Sequence, residues 1–406
     1  MTNHPAPFRV AAATVLVAAI LGLAGCANPF SAEVIPAAEV GTDASSPSVS
    51  ADLAAPTLSV AADADPEAWR PDQPIVVNAA AGTLTEVTVT SADGDDLAGS
   101  LSEDQKHWQS TGVLLPGTTY EVHATMTGSD PTRSATETLT IETMNSAEEF
   151  RARISPRDGA TVGVGMPILV TFTAPVEESR RADVQGALKV TSSKDVEGAW
   201  NWVSDTKVQY RTKEYWPAKT EVSVSADLAG VQAGADVWGD QDKKVDFEIG
   251  RSVVSVVDVK SHQLTVTIDG KVARTIPVTT GKDGFLTRGG TRVISEKLEE
   301  TRMDAASTGV TPDDPEYYNL DVRYAMRMTN SGEFIHAAPW SVASQGNANV
   351  SHGCVGMSTD NARWLFEQSR VGDVVTIENS TRKLEPGNGL TQWNVSWEDW
   401  QAGSAS

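Results

Sequence analysis

Cysteine is rare in this chain of 406 residues, which has only two. Two cysteines exclude a disulfide framework and a zinc site built from cysteine alone. Basic residues are also few, since 32 Lys and Arg stand against 54 Asp and Glu, a formal net charge of −22. That balance argues against binding nucleic acid through the protein's own electrostatic field. Hydrophobic residues make up 40% of the chain, which excludes wholesale disorder, and the length predicts two to four domains of about 150 residues each.

Long apolar runs are absent except near the start, where residues 10–24 are almost entirely apolar and follow a short segment with one basic residue, Arg9. A run of about 15 residues is too short to span a bilayer comfortably but suits a secretion signal. It ends Leu23-Ala24-Gly25-Cys26, which resembles the bacterial lipobox. The resemblance predicts that residues 1–25 are removed and that Cys26 is lipidated and held in the cytoplasmic membrane, facing the cell wall. The alternative is an ordinary signal peptide followed by a chance cysteine.

Residues 26–56 lack helical or strand periodicity and are rich in Ala, Ser, Pro and Val, which predicts a flexible tether. Short segments of alternating polar and apolar residues then recur from residue 85 to residue 249, separated by Gly, Pro, Asp and Ser. Such segments predict two antiparallel sandwiches of the immunoglobulin-like class, over residues 57–146 and 147–250. With no cysteine pair, neither sandwich has the inter-sheet disulfide.

Residues 251–378 form a third predicted domain, which is also β-rich. Residues 262–274 predict a hairpin that turns at Asp269-Gly270. Residues 300–330 show little periodicity and predict a long loop that could cover a site. A short strand is expected to end near His336. Residues 379–406 form a C-terminal extension in which Trp393, Trp397 and Trp400 would share one helical stripe, expected to dock on the third domain or, less favoured, to bind glycan.

Cys354 is the one cysteine in the predicted folded part, and its neighbours favour a nucleophile. His352 lies two positions before it, Gly353 and Gly356 flank it, and His336 lies eighteen positions upstream. A free thiol with a pKa of about 8.5 needs a base to react at neutral pH. A glycine lets a substrate carbonyl approach backbone N–H groups that could stabilise an oxyanion. Two alternatives stay open, a buried inert cysteine and a catalytic zinc bound by Cys354, His352 and His336.

Residues 332–341 and 349–358 together resemble the active-site signature of the YkuD-type L,D-transpeptidases, with the same His…Ser-His-Gly-Cys pattern and spacing. The layout of anchor, two immunoglobulin-like domains, catalytic domain and Trp-rich tail is similar to the actinobacterial lipoprotein members. The resemblance implies that Cys354 forms a thioester with a peptidoglycan stem peptide, with His336 as its base. It then implies transfer to a diaminopimelate amine in a 3→3 crosslink, carbapenems as probable covalent inhibitors, and no metal or other cofactor.

The resemblance also assigns supporting roles. The Ala337 carbonyl would orient His336, and the N–H groups of Gly353 and Cys354 would form the oxyanion hole. His352 would line the pocket and assist the acceptor amine, and the pocket would also be lined by Ser351, Tyr318, Met303 and Trp340. The alternatives are a structural hydrogen bond for His352 and simple packing for Tyr318, Met303 and Trp340. Two positions depart from the family pattern, because Ala337 is often Ser and Gly356 is often Arg or Asn. Two other functions remain open, an L,D-carboxypeptidase that uses the same cysteine and a non-catalytic wall-binding lipoprotein.

Overall fold

The computed structural model describes residues 58–60, 69–128 and 130–405, and the fold is mainly β, as predicted. The predicted signal peptide, Cys26 and the predicted tether lie outside the described residues. Within the part of the chain that the structure describes, no helix is long and apolar enough to cross a membrane.

The first sandwich has one four-stranded sheet, β1-β2-β5-β4, and one three-stranded sheet, β3-β6-β7. Its strands are β1 Leu58–Val60, β2 Val76–Ala79, β3 Thr83–Ser91, β4 Gly99–Leu101, β5 His107–Ser110, β6 Thr119–Thr127 and β7 Ser134–Glu142. In β6 every second side chain is buried, because successive residues of a strand face opposite sides of the sheet. Trp69, Trp108 and Val122 lie in the core between the sheets.

The second sandwich pairs the sheets β12-β13-β10-β8 and β11-β14-β17-β9, beside a two-stranded ribbon β15-β16. Its elements are β8 Ala152–Ser155, β9 Thr161–Val162, β10 Ile168–Phe172, α1 Arg181–Gly186, β11 Leu188–Ser192, β12 Gly198–Ser204, β13 Lys207–Thr212, β14 Thr220–Ala226, β15 Gln232–Gly234, β16 Val237–Trp238 and β17 Lys243–Ile249. A large aromatic and aliphatic core, including Phe150, Phe172 and Trp216, fills the space between the sheets. Apolar burial of this kind contributes about 1.5–3 kcal/mol for each large side chain.

The third domain joins a five-stranded sheet, β20-β19-β18-β26-β21, to a four-stranded sheet, β22-β23-β24-β25. Its elements are β18 Val253–Asp258, β19 Gln263–Ile268, β20 Lys271–Pro277, β21 Gly290–Val293, β22 Glu296–Asp304, β23 Asn319–Arg327, β24 Phe334–Ala337, β25 Val355–Met357, α2 Thr359–Gln368 and β26 Val374–Glu378. The hairpin turn at Asp269-Gly270 is confirmed, because both residues have positive φ between β19 and β20. Helix α2 begins with the Ser358 side chain accepting from Asn361 N, and it covers β23 and β24.

The expectation of a continuous loop over residues 300–330 was wrong. Strands β22 and β23 take up the two sides of this stretch and pair antiparallel, and only residues 305–318 form the connection between them. The alternation that marks a half-buried strand was hidden by charged and polar side chains on both faces of β22, of which Met303 alone is buried. The connecting residues, hereafter the lid, begin with a 3-10 turn at Ala305–Thr308 that is capped by the Asp304 carboxylate.

The expected docking of the tryptophan tail on the third domain holds only in part. Asn394, next to Trp393, accepts from Thr291 N of β21 at 2.7 Å, but the indoles themselves contact the second sandwich. All three indole N–H groups donate to the second sandwich. Trp393 donates to the Gly165 carbonyl, Trp397 to the Glu197 carboxylate and Trp400 to the Ala199 carbonyl. They do not share one helix, because Trp393 lies in a 3-10 turn and only the other two lie in α3, Trp397–Ala402. The buried Arg211 guanidinium lies 5.0–5.2 Å from each of the three rings. The tail therefore fixes itself to the sandwich beside the third domain.

The second sandwich and the third domain are joined by backbone hydrogen bonds as well as by apolar contact. Gly163 N donates to the Val371 carbonyl and Gly165 N to the Gly372 carbonyl, at 2.8 and 2.9 Å. A Cβ at Gly163 would lie 2.2 Å from Asp373 N, so this approach needs glycine. Val374 of β26 belongs to the core of the second sandwich. The third domain is thus held by packing and not only by its chain connection.

Candidate active site

The third domain contains a cavity of about 190 Å³ between the lid, the segment before β25 and the end of β24. The residues around it are Thr279, Met303, Tyr318, Leu320, His336, Ala338, Trp340, Ser341, Val350, Ser351, His352, Cys354 and Gly356. This set includes seven of the nine residues that the sequence predicted for the site. The other two, Gly353 and Ala337, lie directly beside lining residues in the chain. A larger open depression lies on the second sandwich and contains no nucleophile paired with a base.

Strands β24 and β25 bring the thiol and the imidazole together. They pair in parallel with His336 opposite Gly356, so Cys354, just before β25, lies at the level of the residues around His336. Parallel pairing of two segments this far apart in the chain requires a crossover, which here runs over residues 338–354. The spacing of eighteen positions between His336 and Cys354 therefore follows from the length of that crossover.

Cys354 is nine-tenths buried although it lines the cavity. Its Sγ lies 3.7 Å from the Gly332 carbonyl oxygen. Burial raises the pKa of the thiol to about 12; a backbone hydrogen bond with Phe334 acts against this rise, and the Glu333 carboxylate adds to it. The resting nucleophile is therefore a neutral thiol, and it needs a base to remove its proton during attack.

The His336 ring is buried, and its Nδ1 lies 2.8 Å from the Ala337 carbonyl oxygen. Because a carbonyl can only accept, Nδ1 carries the proton and Nε2 keeps its lone pair. Burial lowers the pKa of His336, which the bond to Ala337 partly opposes, so the ring is a neutral base at neutral pH. No hydrogen bond joins this ring to Sγ among the described residues. Because this contact is to the backbone oxygen of residue 337, it does not depend on whether that residue is Ser or Ala.

The backbone around Gly353 is arranged less simply than predicted. Its N–H donates to the Ser351 hydroxyl at 3.1 Å, and that hydroxyl donates to the Cys354 carbonyl at 2.6 Å. Gly353 has φ of +125°, a conformation that favours glycine even though there is room for a Cβ. To stabilise an oxyanion, the Gly353 N–H would have to leave Ser351, whereas no partner of the Cys354 N–H is found among the described residues.

His352 lines the same cavity and contacts the lid. Its Nε2 is 2.7 Å from Glu316 Oε2, and its ring packs against Phe285 and Tyr318, with centroids 4.6 and 4.9 Å away. The sequence reading missed Glu316 and Phe285. The sequence around Glu316 and Phe285 contains no motif that points to the site. Glu316 reaches His352 only through the fold of the lid, and Phe285 only through the fold of the loop after β20.

A second missed feature is an ion network behind the nucleophile. The buried Glu333 carboxylate accepts from Arg288 Nη1 at 2.9 Å and from the fully buried Arg292 at 2.8 Å. Arg288 also pairs with Glu385 of the tail at 2.6 Å. These charges lie next to Gly353, since a Cβ there would be 3.5 Å from Glu333 Oε1. The network fixes the loop before β21 against the segment that presents Cys354.

Other predicted residues lie where the pocket was expected. Met303 is nine-tenths buried, and burial raises the pKa of Tyr318 to about 12, with the nearby Cys354 thiol adding to the rise. Trp340 is 59% exposed with its ring 6.0 Å from the His336 ring, so it borders the cavity and is not packed in the core. Among the described residues, no group of three or more His, Cys, Asp or Glu side chains is arranged to hold a metal ion.

Gly356 is a position where the family's usual side chain does not fit this chain as folded. A Cβ there would lie 2.9 Å from Ala338 Cβ and 3.1 Å from Thr279 Cγ2, neither of which can turn away. We expect Gly356→Asn to lower the free energy of unfolding by about 1–3 kcal/mol, measured by denaturant titration. The matched Gly186→Asn, where a Cβ meets no atom within 4 Å, should change it by less than about 0.5 kcal/mol. Equal stability of Gly356→Asn and wild type would show that the side chain enters the cavity without strain.

A β-rich domain with a thiol and an imidazole at one cavity, after two sandwiches, is typical of cysteine-dependent acyl-transfer enzymes, and comparison with known proteins specifies the family. Residues 252–377 match the L,D-transpeptidase catalytic domain, and residues 67–232 match a bacterial Ig domain. L,D-transpeptidase 2 of Mycobacterium tuberculosis is 33% identical over 397 residues, covering 97% of this chain and 94% of the relative. L,D-transpeptidase 1 of the same organism is 38% identical over 226 residues, covering 56% of this chain and 84% of the relative.

Among solved structures, LdtMt1 in complex with imipenem is 36% identical with a TM-score of 0.49, covering 56% of this chain and 98% of that chain. The match along nearly the whole length of L,D-transpeptidase 2 is the decisive one. The chain belongs to the L,D-transpeptidase family and is an enzyme.

Proposed function

We propose that this enzyme cleaves a tetrapeptide stem of peptidoglycan and joins the shortened stem to a neighbour. In the first step the Cys354 sulfur attacks the carbonyl between the third and fourth residues while His336 Nε2 takes the thiol proton. The C–S bond forms, the C–N bond breaks, and the same proton passes to the nitrogen of the departing D-Ala. A ring whose pKa is lowered by burial returns that proton readily. The product is a thioester on Cys354.

In the second step the thioester is opened by the side-chain amine of diaminopimelate on another stem. The amine nitrogen bonds to the carbonyl carbon, the C–S bond breaks, and the proton lost by nitrogen finally restores the Cys354 thiol. The result is a 3→3 crosslink. The backbone N–H groups near Cys354 stabilise the oxyanion in both steps.

One observation carries this proposal. A neutral thiol and a neutral imidazole with a fixed tautomer lie at the same small cavity, on two strands that pair in parallel. Neither group is reactive alone at neutral pH, since burial raises the pKa of the thiol and lowers that of the ring. Together they provide a nucleophile whose proton is removed only when an electrophile occupies the cavity.

The test is to incubate the purified full-length protein with disaccharide tetrapeptides and to analyse the products by mass spectrometry. We expect free D-Ala and a dimer whose fragments show a bond between two third residues. Release of D-Ala with monomeric tripeptide as the only other product would assign an L,D-carboxypeptidase instead. If neither product forms although the Cys354 thiol still reacts with an electrophile, the proposed substrate is contradicted.

The same thiol should react with carbapenems, because the strained lactam carbonyl is an electrophile. The C–S bond forms as the lactam C–N bond breaks, and the nitrogen takes the proton and stays attached to the acyl group on Cys354. We further propose that Cys26 carries the lipid anchor and that the enzyme works outside the cytoplasmic membrane, facing the cell wall. The lipobox-like Leu23-Ala24-Gly25-Cys26 supports this localisation. Two or more acyl chains on one cysteine would give stable attachment.

A further inference from the structure

The lid carries a carboxylate that contacts two segments outside the lid, one of which lines the cavity. Glu316 Oε2 accepts from Lys282 Nζ at 2.6 Å and lies 2.7 Å from His352 Nε2. The backbone N–H of Glu316 is itself held by the Asp314 carboxylate at 2.8 Å. A lid side chain is thus fixed at both its backbone and its carboxylate.

The His352 ring is fixed by packing as well as by this bond. Phe285 meets it edge-on, with ring planes 67° apart, and Tyr318 packs against it at 45°. The side chain is 23% exposed and lines the cavity that contains Cys354. With Nε2 occupied by Glu316, Nδ1 is the ring nitrogen left for chemistry, and within the described residues we find no partner for it.

The partner of Nε2 decides where the proton of the ring lies. The hydrogen bonds from Lys282 and from His352 hold the pKa of the Glu316 carboxyl below its usual range, so at neutral pH it only accepts. The proton of a neutral His352 therefore lies on Nε2, and Nδ1 keeps a lone pair that can take a proton. The charged and titratable groups that meet this ring are Glu316, Tyr318 and, through Glu316, Lys282, with the Cys354 thiol in the same cavity.

We propose that Glu316 is a positioning residue for the transfer half of the reaction, fixing His352 so that Nδ1 receives the proton of the attacking amine. The proposal rests on the proposed function. As the neutral amine attacks the thioester, its nitrogen gains the carbonyl carbon and gives one proton to His352 Nδ1. The C–S bond breaks with its electron pair on sulfur, and that proton returns to sulfur, so atoms and charge balance.

Glu316 is not needed for the first half of the reaction. There the proton moves between the thiol, His336 and the departing amine, and His336 is oriented by the Ala337 carbonyl and not by the lid. Acylation and transfer therefore use separate imidazoles, each oriented by its own oxygen. A change at Glu316 should separate the two half-reactions, which a general loss of folding would not do.

The experiment compares wild type and Glu316→Gln as full-length proteins. Acylation is followed without acceptor, as the first-turnover release of one D-Ala per enzyme from a tetrapeptide donor and as single-turnover growth of the acyl-enzyme mass. Transfer is followed as decay of that acyl-enzyme when an acceptor stem is added. We expect acylation within about threefold of wild type and transfer about 10- to 100-fold slower, because an amide can donate to Nε2 and select the unproductive tautomer. Asp313→Asn, a loss of the same charge from an exposed position of the lid, should leave both rates unchanged.

Two further measurements decide between positioning and a mechanical role. Nitrogen-15 NMR of labelled histidine should show the His352 proton on Nε2 in wild type and on Nδ1 in Glu316→Gln. Lys282→Met removes the other partner of Glu316 but not its bond to His352. If it slows transfer as much as Glu316→Gln does, closure of the lid is responsible and the proposal is overturned. Unchanged transfer in Glu316→Gln also overturns it, whereas a wild type that never transfers overturns the proposed function itself.

Discussion

The Cys354→Ala variant is expected to gain no mass when it is incubated with a carbapenem, whereas the wild-type chain gains the mass of one drug molecule. The lactam carbonyl needs a sulfur nucleophile in the cavity, and Cys354 is the cysteine that the described structure contains. Crosslinking should fall by more than about 10³-fold, because no thioester can form without the sulfur. Intact-protein mass spectrometry and the dimer assay measure the two effects on the same samples.

The chain itself offers the control for this experiment. Cys26 is the other cysteine of the sequence, so Cys26→Ala should still take up one drug molecule. Cys354 is nine-tenths buried, so its replacement by alanine removes one sulfur atom from a buried position. The unfolding transition of Cys354→Ala should confirm that the domain remains folded. An adduct on Cys354→Ala, or one that disappears in Cys26→Ala, would place the reactive thiol elsewhere and remove the enzymatic assignment of Cys354.

Much of the fold could be predicted because its strands alternate strictly. Strand β10 has the pattern buried, intermediate, buried, intermediate, buried, and it is the segment that the alternation of residues 168–172 marked. The hairpin at Asp269-Gly270 needed only two adjacent residues that tolerate positive φ. The site residues His336 and Cys354 were recognisable because the histidine, the cysteine and the glycines stand at a fixed separation along one short crossover.

Features built from distant partners left no such signal. The lid ends where β22 and β23 begin to pair, but most side chains of β22 are charged, so their order does not distinguish a strand from a loop. The tryptophan tail docks on the second sandwich because the buried Arg211 there offers its guanidinium to three indoles, and nothing near residue 393 in the sequence indicates that partner. The spacing of four and three residues between the tryptophans predicted one helix. In the structure the three indoles reach separate acceptors, and the tail forms a 3-10 turn followed by the short helix α3.

The buried charges around Cys354 are also brought together from distant parts of the sequence, and they influence the pKa of its thiol. Glu333 is next in sequence to Phe334, whose backbone helps to stabilise the thiolate, yet its carboxylate raises the pKa of the thiol. Arg288 and Arg292 neutralise that carboxylate without contacting the sulfur. The protein thus keeps the thiol protonated at rest, so the proposed reaction requires His336 to remove its proton.

His336→Gln should therefore change the shape of the pH profile of Cys354 acylation as well as its height. In wild type the rate should rise as pH passes the pKa of His336, which burial places below the ordinary value of 6.5, and then stay level while the thiol remains protonated. Without the ring, only the thiolate fraction reacts, so the rate should climb about tenfold per pH unit toward the thiol pKa of about 12. At pH 7 the loss should be about 10²- to 10⁴-fold.

The measurement is the rate of carbapenem acylation from pH 5 to pH 9, followed by mass or by loss of drug absorbance, with His352→Gln as the matched control. Because the Ala337 carbonyl orients the His336 ring and not that of His352, the control should keep the level region and its lower limit. If His336→Gln keeps that region and His352→Gln loses it, the base is His352, and the two histidines exchange the roles given to them here. A level region in both variants would mean that the thiol is already ionised at rest, which its burial beside Glu333 opposes.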